Sequence, residues 1–496
     1  MPSIHRTAVL MLPLLSAGCA AHGGAPSAGP DVEARIRRVE TGLPTYQSVR
    51  GETNTFTIEE RLRHHRVPGV SVAVINDGRI EWARGWGETE AGSGIPVDST
   101  TLFQAASISK PVAAIAALRL VENGVLDLDE DVNARLRSWR VPENEFTATE
   151  KVTLRRLLSH SAGTTVPGFP GYAAGAAVPT TVQVLDGEAP ANTRPVRVDT
   201  VPESRSRYSG GGLTIAQLMM TDVTGRPFTE LMREQVLEPA GMRRSTFAQP
   251  LPADRAGEAA TAHGRDGQPV AGRHYTYPEQ AAAGLWTTPS DLARLALEVQ
   301  RAYAGETGRI LSPEMARRML TVQAGQYGLG FGLAGEADSL RFIHGGSNRG
   351  FQSFFLAMAG AGRGVIVMTN GDAGSDLTME ILRSVAREYG LPGYPTRERD
   401  AVRVDAASLA AYVGSYATVP DDDDPAILVD IRVDGEMLRM TVPRVGWRDR
   451  PLRASAADTF FFLENPGELA FERGASGAVV AANLTGMGQP IRLVRQ

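Results

Sequence analysis

The chain has 496 residues, 42% hydrophobic and 22% charged, with a net charge of −5. That balance excludes disordered and collagen-like chains and allows a core that stands without disulfides, most naturally in two domains. Its 51 lysines and arginines are scattered without a basic stripe, which argues against a nucleic-acid partner.

The chain opens MPSIHRTAVLMLPLLSAGC. Arg6 supplies a short basic region, and Ala8 to Leu15 form an apolar stretch too short to span a bilayer. Small residues Ser16, Ala17 and Gly18 then lead into Cys19, the single cysteine. Residues 1–19 resemble a bacterial lipoprotein signal, in which the cysteine is lipidated. The alternative is a plain secretory signal with Cys19 incidental. Either reading implies export to the periplasm or cell envelope, with membrane attachment only through a lipid anchor. Residues 20–50 read as a flexible tether followed by an N-terminal extension.

Thr57 to His65 has the pattern of a short amphipathic helix stopped by Pro68-Gly69. In GVSVAVINDGRIEWARGWG, an Asn-Asp-Gly turn at 76–78 separates two strands of a hairpin. Pro111 to Asn123 is a helical run closed by Gly124, and Val152 to His160 is another. From Thr164 to Ser206 the composition turns to Pro, Gly, Ala and Thr, as in a functional loop that roofs a cleft. Helical patterning returns at Gly212 to Thr224, Phe228 to Glu238 and from Thr288, where Ser290 can cap the first turn. Leu340 to Ile343, Phe351 to Met358 and Gly364 to Asn370 read as strands, and Asp376 to Tyr389 as a closing helix. Residues 51–390 thus form one α/β unit. Residues 391–405 read as a linker, and 406–496 as closely spaced strands of a small β-barrel or β-sandwich. The acidic run Asp421 to Asp424 reads as a solvated loop.

Three short elements carry chemistry. In FQAASISKPVAAIAALRL, Ser107 and Lys110 stand three apart at the start of an apolar helix, which puts both on one face. A serine hydroxyl needs a base, and a buried lysine can serve when desolvation lowers its pKa. In RYSGGGLTIAQLMM, Tyr208 precedes a glycine-rich turn and could relay protons. In FIHGGSNRGFQSFFLAM, His344-Gly345-Gly346-Ser347 leaves an apolar strand, and its glycines allow close approach of a substrate. Taken singly, each element reads equally as a cap, a packed aromatic or a glycine bulge.

In this order the three resemble the motif set of the penicillin-recognising serine hydrolases, a group of class C β-lactamases, D-alanyl-D-alanine carboxypeptidases, D-aminopeptidases and esterases. The motifs are Ser-x-x-Lys (Ser107 to Lys110), Tyr-x-Asn (Tyr208-Ser209-Gly210) and Lys-Thr-Gly or His-x-Gly (His344-Gly345-Gly346). The likeness covers about residues 50–390, with VTLRRLLSHSAGT and AAAGLWTTPSDLARLAL in support. It implies a β-lactamase/transpeptidase-like fold, an antiparallel sheet flanked by helices. It also implies acylation of Ser107, with Lys110 as base, Tyr208 as relay, and the backbone N–H groups of Ser107 and Ser347 as an oxyanion hole. Residues 344–347 would align the substrate.

Two departures stand out: Gly210 replaces asparagine, and His344 replaces lysine, leaving only a partial positive charge there at neutral pH. Both favour an esterase or peptidase acting on an ester or amide over an efficient β-lactamase. The substrate is expected to be a small molecule or short peptide, such as a cell-wall fragment. No cofactor or metal is implied, since the eight histidines show no ligand spacing; His64-His65 reads as a surface pair and His160 as a helix-end residue. A cell-envelope binding or sensor protein that keeps the scaffold without turnover is the alternative.

Overall fold

The computed structural model describes residues 30–419 and 426–496. Cys19 with its signal-like segment, residues 20–29 of the tether, and Asp421 to Asp424 lie outside the described residues.

Strands β1 (Gly69–Asn76) and β2 (Arg79–Gly87) form the expected hairpin. Asp77 at φ 49° and Gly78 at φ 70° supply the two left-handed residues its tight turn requires. Strands β3 (Gly332–Ala334), β4 (Arg341–Asn348), β5 (Phe351–Met358) and β6 (Gly364–Thr369) come from the far end of the same domain. All neighbours are antiparallel, in the order β2-β1-β6-β5-β4-β3. The pairing of β1 with β6 therefore joins the two ends of the domain, and everything between them is threaded across one face.

Side chains alternate across this sheet with period two. Val70, Val72 and Val74 of β1, with Val365 and Val367 of β6, pack on helices α1 (Pro30–Glu40) and α6 (Gly374–Tyr389) through Ile36, Val39, Ile381 and Val385. Ala73, Ile75, Ile366 and Met368 point the other way, into a larger core. That core holds helix α5 (Pro289–Ala304) and two buried helices, α3 (Ser109–Glu122) and α4 (Gly210–Thr224). With both faces covered, β1 and β6 need almost continuous apolar sequence. The segment before residue 50 is also more than a tether, because α1 contributes to the core.

Several local expectations need correction. Thr288, not Ser290, caps α5: its side chain accepts the Asp291 N–H at 3.1 Å, with Pro289 at the first helical position. The helix after Val152 is only Leu154–Leu158. β4 does not stop at Ile343 but runs through His344, Gly345, Gly346 and Ser347, because those residues pair with Phe355, Phe354, Ser353 and Gln352 of β5.

The C-terminal strands close into a barrel of eight, Gly414–Thr418 to Ile491–Arg495, in which the first strand pairs with the last. Closure removes every exposed edge. Tyr416, Leu438, Leu452, Phe460 and Phe462 fill the interior.

The barrel meets the main domain through buried charge. Arg61, on helix α2 (Ile58–His65), donates from Nη2 to Glu380 and to Glu464 of the barrel, both at 2.6 Å. Arg450 of the barrel bonds Glu464 at 2.5 Å and also pairs with Asp376. His65 is buried 3.2 Å from Glu380, whereas His64 is exposed and lies 2.8 Å from Glu464, so only His64 is the surface residue the sequence suggests. Desolvation pushes the Glu380 carboxyl up, but His65 and Arg61 overcome it and hold the group at about 2. Removing one member of such a network strands the others. Arg61→Met is expected to cost about 3 kcal/mol, read as a lower thermal unfolding midpoint at pH 7; an unchanged midpoint would show that the network contributes nothing to stability.

Candidate active site

Ser107 sits in a 3₁₀ turn, Ala106–Ile108, that leads directly into α3. Ala106 carries φ 50°, a left-handed conformation that an alanine adopts only under constraint. The constraint is visible on both sides. The Ala105 N–H donates to Leu285 O at 2.8 Å. Ser109 donates to Ala106 O at 2.5 Å and accepts the Leu285 N–H at 3.0 Å. Ser109 is thus a structural brace. From the other side, β4 presses on the turn at Gly346, where a Cβ would lie 2.2 Å from Ala105 O. Only glycine fits there, so the third motif is held against the first by backbone contact.

Lys110, 1% exposed, brings Nζ to 2.9 Å from the Ser107 hydroxyl and donates to Ala282 O at 2.8 Å. Helix α3 is apolar and buried from Pro111 to Leu118, and no carboxylate pairs with the amine among the described residues. Burial lowers its pKa to about 7. Tyr208 lies over the same group, its ring centroid 4.9 Å from Nζ. Burial pushes its phenol up to about 12, against a hydrogen bond with Ser107 that draws it down. At neutral pH the phenol keeps its proton.

The following residue, Ser209, caps α4: its Oγ accepts the Gly212 N–H at 3.0 Å and donates to Thr165 O at 2.7 Å. The glycines after it lie beneath the 164–206 loop. A Cβ on Gly211 would stand 2.8 Å from Thr165 O, and one on Gly210 3.0 Å from the Phe169 ring. Gly210 therefore marks where the loop is packed down, with an aromatic ring beside the place an asparagine would take. The loop carries one short helix, Thr181–Asp186.

His344 reaches the site from β4, with its ring 6.1 Å from that of Tyr208. Its charge is not the partial one expected: burial and the nearby Lys110 hold its pKa down to about 3, so the imidazole is neutral. Nδ1 donates to Gly345 O at 2.7 Å, which leaves the buried Nε2 as an acceptor without a partner among the described residues. Ser347, three positions on, is exposed, its Oγ accepting from Gln352 Nε2 at 3.0 Å. Gly345 faces away, toward Phe354.

The sequence reading missed His160. It does follow a helix, but it is buried at φ 57° with its ring 4.5 Å from Tyr208 and 4.8 Å from Tyr327. Its Nδ1 accepts the Ser209 N–H at 3.2 Å, so in the neutral ring Nε2 carries the proton, again unpartnered among the described residues. Burial keeps this ring neutral too. Its place in SHSAGT, three residues before Gly163, was the only local signal. The site thus joins a serine, an amine poised near neutrality, a protonated phenol, one unpaired imidazole donor and one unpaired imidazole acceptor.

A family model described as Beta-lactamase matches residues 56–387. Penicillin-binding protein 4 of Amycolatopsis lactamdurans is 26% identical over 382 residues, 72% of this chain and 94% of that protein. Esterase EstB of Burkholderia gladioli is 28% identical over 302 residues, 55% of this chain and 76% of that protein. The octameric penicillin-binding protein homologue from Pyrococcus abyssi superposes with a TM-score of 0.57 at 22% identity, covering 88% of this chain and 98% of that one.

A buried neutral lysine costs stability wherever the unfolded chain would bind its proton. With Lys110 at about 7 when folded and 10.5 when free, the penalty is full below pH 7, about 5 kcal/mol, and fades as pH rises to 10.5. Lys110→Met should therefore raise stability at pH 6 by several kcal/mol and lose that advantage in alkali. Denaturant unfolding across this range measures it; a gain independent of pH would show that Lys110 is not desolvated.

Proposed function

The chain belongs to the beta-lactamase family, and we propose that it is a serine hydrolase that cleaves an ester or amide through an acyl-enzyme on Ser107. One observation carries the reading: Lys110 Nζ, 2.9 Å from the Ser107 hydroxyl, has no carboxylate partner among the described residues and a pKa near 7. A neutral amine there has one lone pair and two N–H bonds. One N–H is taken by Ala282 O, and the lone pair can receive the serine proton as Oγ attacks.

The proton then passes to the departing oxygen or nitrogen through Tyr208, which keeps its own proton up to about 12 and so can donate it and take one back. In the second half of the reaction the same pair draws a proton from a water whose oxygen bonds to the acyl carbon, and returns it to Ser107 Oγ as the acyl–Oγ bond breaks. The backbone N–H groups of Ser107 and Ser347 would steady the oxyanion, which Gly346 supports by letting β4 lie against the nucleophile's turn. The unpaired His344 and His160 nitrogens would meet polar groups of the substrate, because a buried unpaired donor or acceptor costs about 1–3 kcal/mol until something fills it.

The neutral His344 offers no cation to a carboxylate beside the scissile bond, and Gly210 offers no amide. Both support an esterase- or peptidase-like preference over efficient β-lactam turnover, in keeping with one relative named an esterase and another a penicillin-binding protein. The signal-like residues 1–19 support export and a lipid anchor at Cys19. Among the described residues no helix is long and apolar enough to cross a membrane.

Intact-protein mass spectrometry tests the mechanism. A fluorophosphonate and a p-nitrophenyl ester should leave a covalent adduct on the wild-type protein and none on Ser107→Ala. Penicillin is expected to acylate slowly. No adduct from any probe, in a folded sample, would favour a binding or sensor protein instead. The kcat/KM for ester hydrolysis should rise with pH through about 7 as Lys110 loses its proton. Tyr208→Phe should lower kcat about 100-fold or more while fluorophosphonate labelling persists; full activity in that variant would remove the relay from the mechanism.

A further inference from the structure

Four arginines converge where the barrel meets the main domain. Arg66, Arg265, Arg349 and Arg448 line a cleft of about 620 Å³, opposed by Asp266 and Asp449. Two of these charges are already spent: Arg349 pairs with Asp372 at 2.8 Å, and Asp449 with Arg432 at 2.9 Å. Among the described residues, Arg66, Arg265 and Arg448 have no ion-pair partner, although all three are exposed on one cleft. The like charges are held together by backbone. Arg265 donates to Val445 O of the barrel at 3.0 Å and packs against Gly446, where a Cβ would lie 2.7 Å from its Cδ. Arg66 stands at φ 54° at the end of α2, a left-handed position that glycine normally takes. An arginine kept at such a place, aimed into a cleft with two other unpaired guanidiniums, points to a ligand that supplies the missing negative charge.

The cleft is linked to the candidate active site through the end of β4. Arg349 directly follows Asn348 of β4, whose amide donates to Ala283 O at 3.1 Å, next to the Ala282 carbonyl that holds Lys110. From Gly346, which touches the Ser107 turn, Arg349 is three residues on, just past the end of β4, about 10 Å of extended chain. We propose that this junction cleft binds a phosphate or carboxylate group of the substrate, so that the molecule cleaved at Ser107 is anionic at a distance from its scissile bond. The proposal rests on the hydrolase reading for the word substrate; the anion site itself does not. It also gives the barrel a part in recognition, since Arg448 and the turn that holds Arg265 belong to it. The neutral His344 would then be no handicap, because the charge is read farther out.

Two measurements on the full chain test it. In the first, calorimetry follows binding of tripolyphosphate and of citrate to Ser107→Ala protein. Saturable binding that weakens about tenfold in Arg66→Gln/Arg265→Gln/Arg448→Gln, the scale of a few exposed ion pairs, supports the site, and the tighter probe tells phosphate from carboxylate. Absent binding, or binding that the substitutions leave unchanged, overturns it. In the second, kcat/KM is compared for the mono-p-nitrophenyl ester of sebacic acid and for p-nitrophenyl decanoate. The ratio should favour the acid and fall about tenfold in the triple variant and in high salt. An anion site without that change in ratio overturns the substrate assignment. Calorimetry needs no turnover and Ser107 labelling needs no anion, so failure of the cleft and failure of the hydrolase reading are separable.

Discussion

The structure is organised around one unfavourable burial. Lys110 places an amine in an apolar core, beside a serine hydroxyl and a backbone carbonyl, with no carboxylate to neutralise it among the described residues. Charge is expensive there, so the amine sits near neutrality, the state a base at this position needs. Much of the architecture is what that burial requires. Helix α3 is apolar and buried from Pro111 to Leu118, α4 and the Gln280–Ala283 turn wall it in, and the Ala282 carbonyl points at Nζ. A more stable core was available with a methionine at this position; the chain gives up that stability for a reactive pair.

A poised amine is useful only if the hydroxyl stays in place. That is achieved by strain at Ala106 and by two sets of backbone contacts, one from the Leu285 segment and one from β4 at Gly346. The Ser107 turn is thus clamped by two segments that each lie more than half the domain's length from it in sequence. The clamp depends on the sheet, because β4 reaches it only through the register that pairs Gly346 with Ser353, whose hydroxyl in turn donates to Ala105 O at 3.2 Å. A slip of one residue would turn His344 to the other face of the sheet, away from the site.

The barrel is fastened by charge, not by a large apolar face. Arg61, Glu380, Glu464 and Arg450 are individually costly to bury and collectively satisfied, an arrangement that tolerates one docking geometry and penalises others. The same docking brings the Pro443–Val445 turn beside Arg265 and leaves three guanidiniums facing one cleft. At one part of this interface the arginines are consumed by buried carboxylates; at the cleft, Arg66, Arg265 and Arg448 form no ion pair among the described residues even though Asp266 and Asp449 line it too.

The sequence by itself determined much of this. Asn-Asp-Gly required the first hairpin, the alternating and continuous apolar runs marked β5 and β6, and the spacing of Ser107 and Lys110 put them on one face because a helix repeats every 3.6 residues. Tyr208, Ser209 and the glycines announced a cap and a close approach. Whether the C-terminal strands would close was not legible, since closure depends on pairing Gly414–Thr418 with Ile491–Arg495, far apart in the chain. Nor could the sequence show that His344 is neutral, that His65 is buried in an ion-pair network, or that His160 packs on Tyr208. It placed the end of β4 before the third motif because glycines read locally as breaks, whereas β5 pairs through them. Local pattern decides which bonds the backbone can make with its near neighbours. Burial, and with it every charge state in the site, is decided by what arrives from elsewhere in the chain, and only the tertiary structure supplies that.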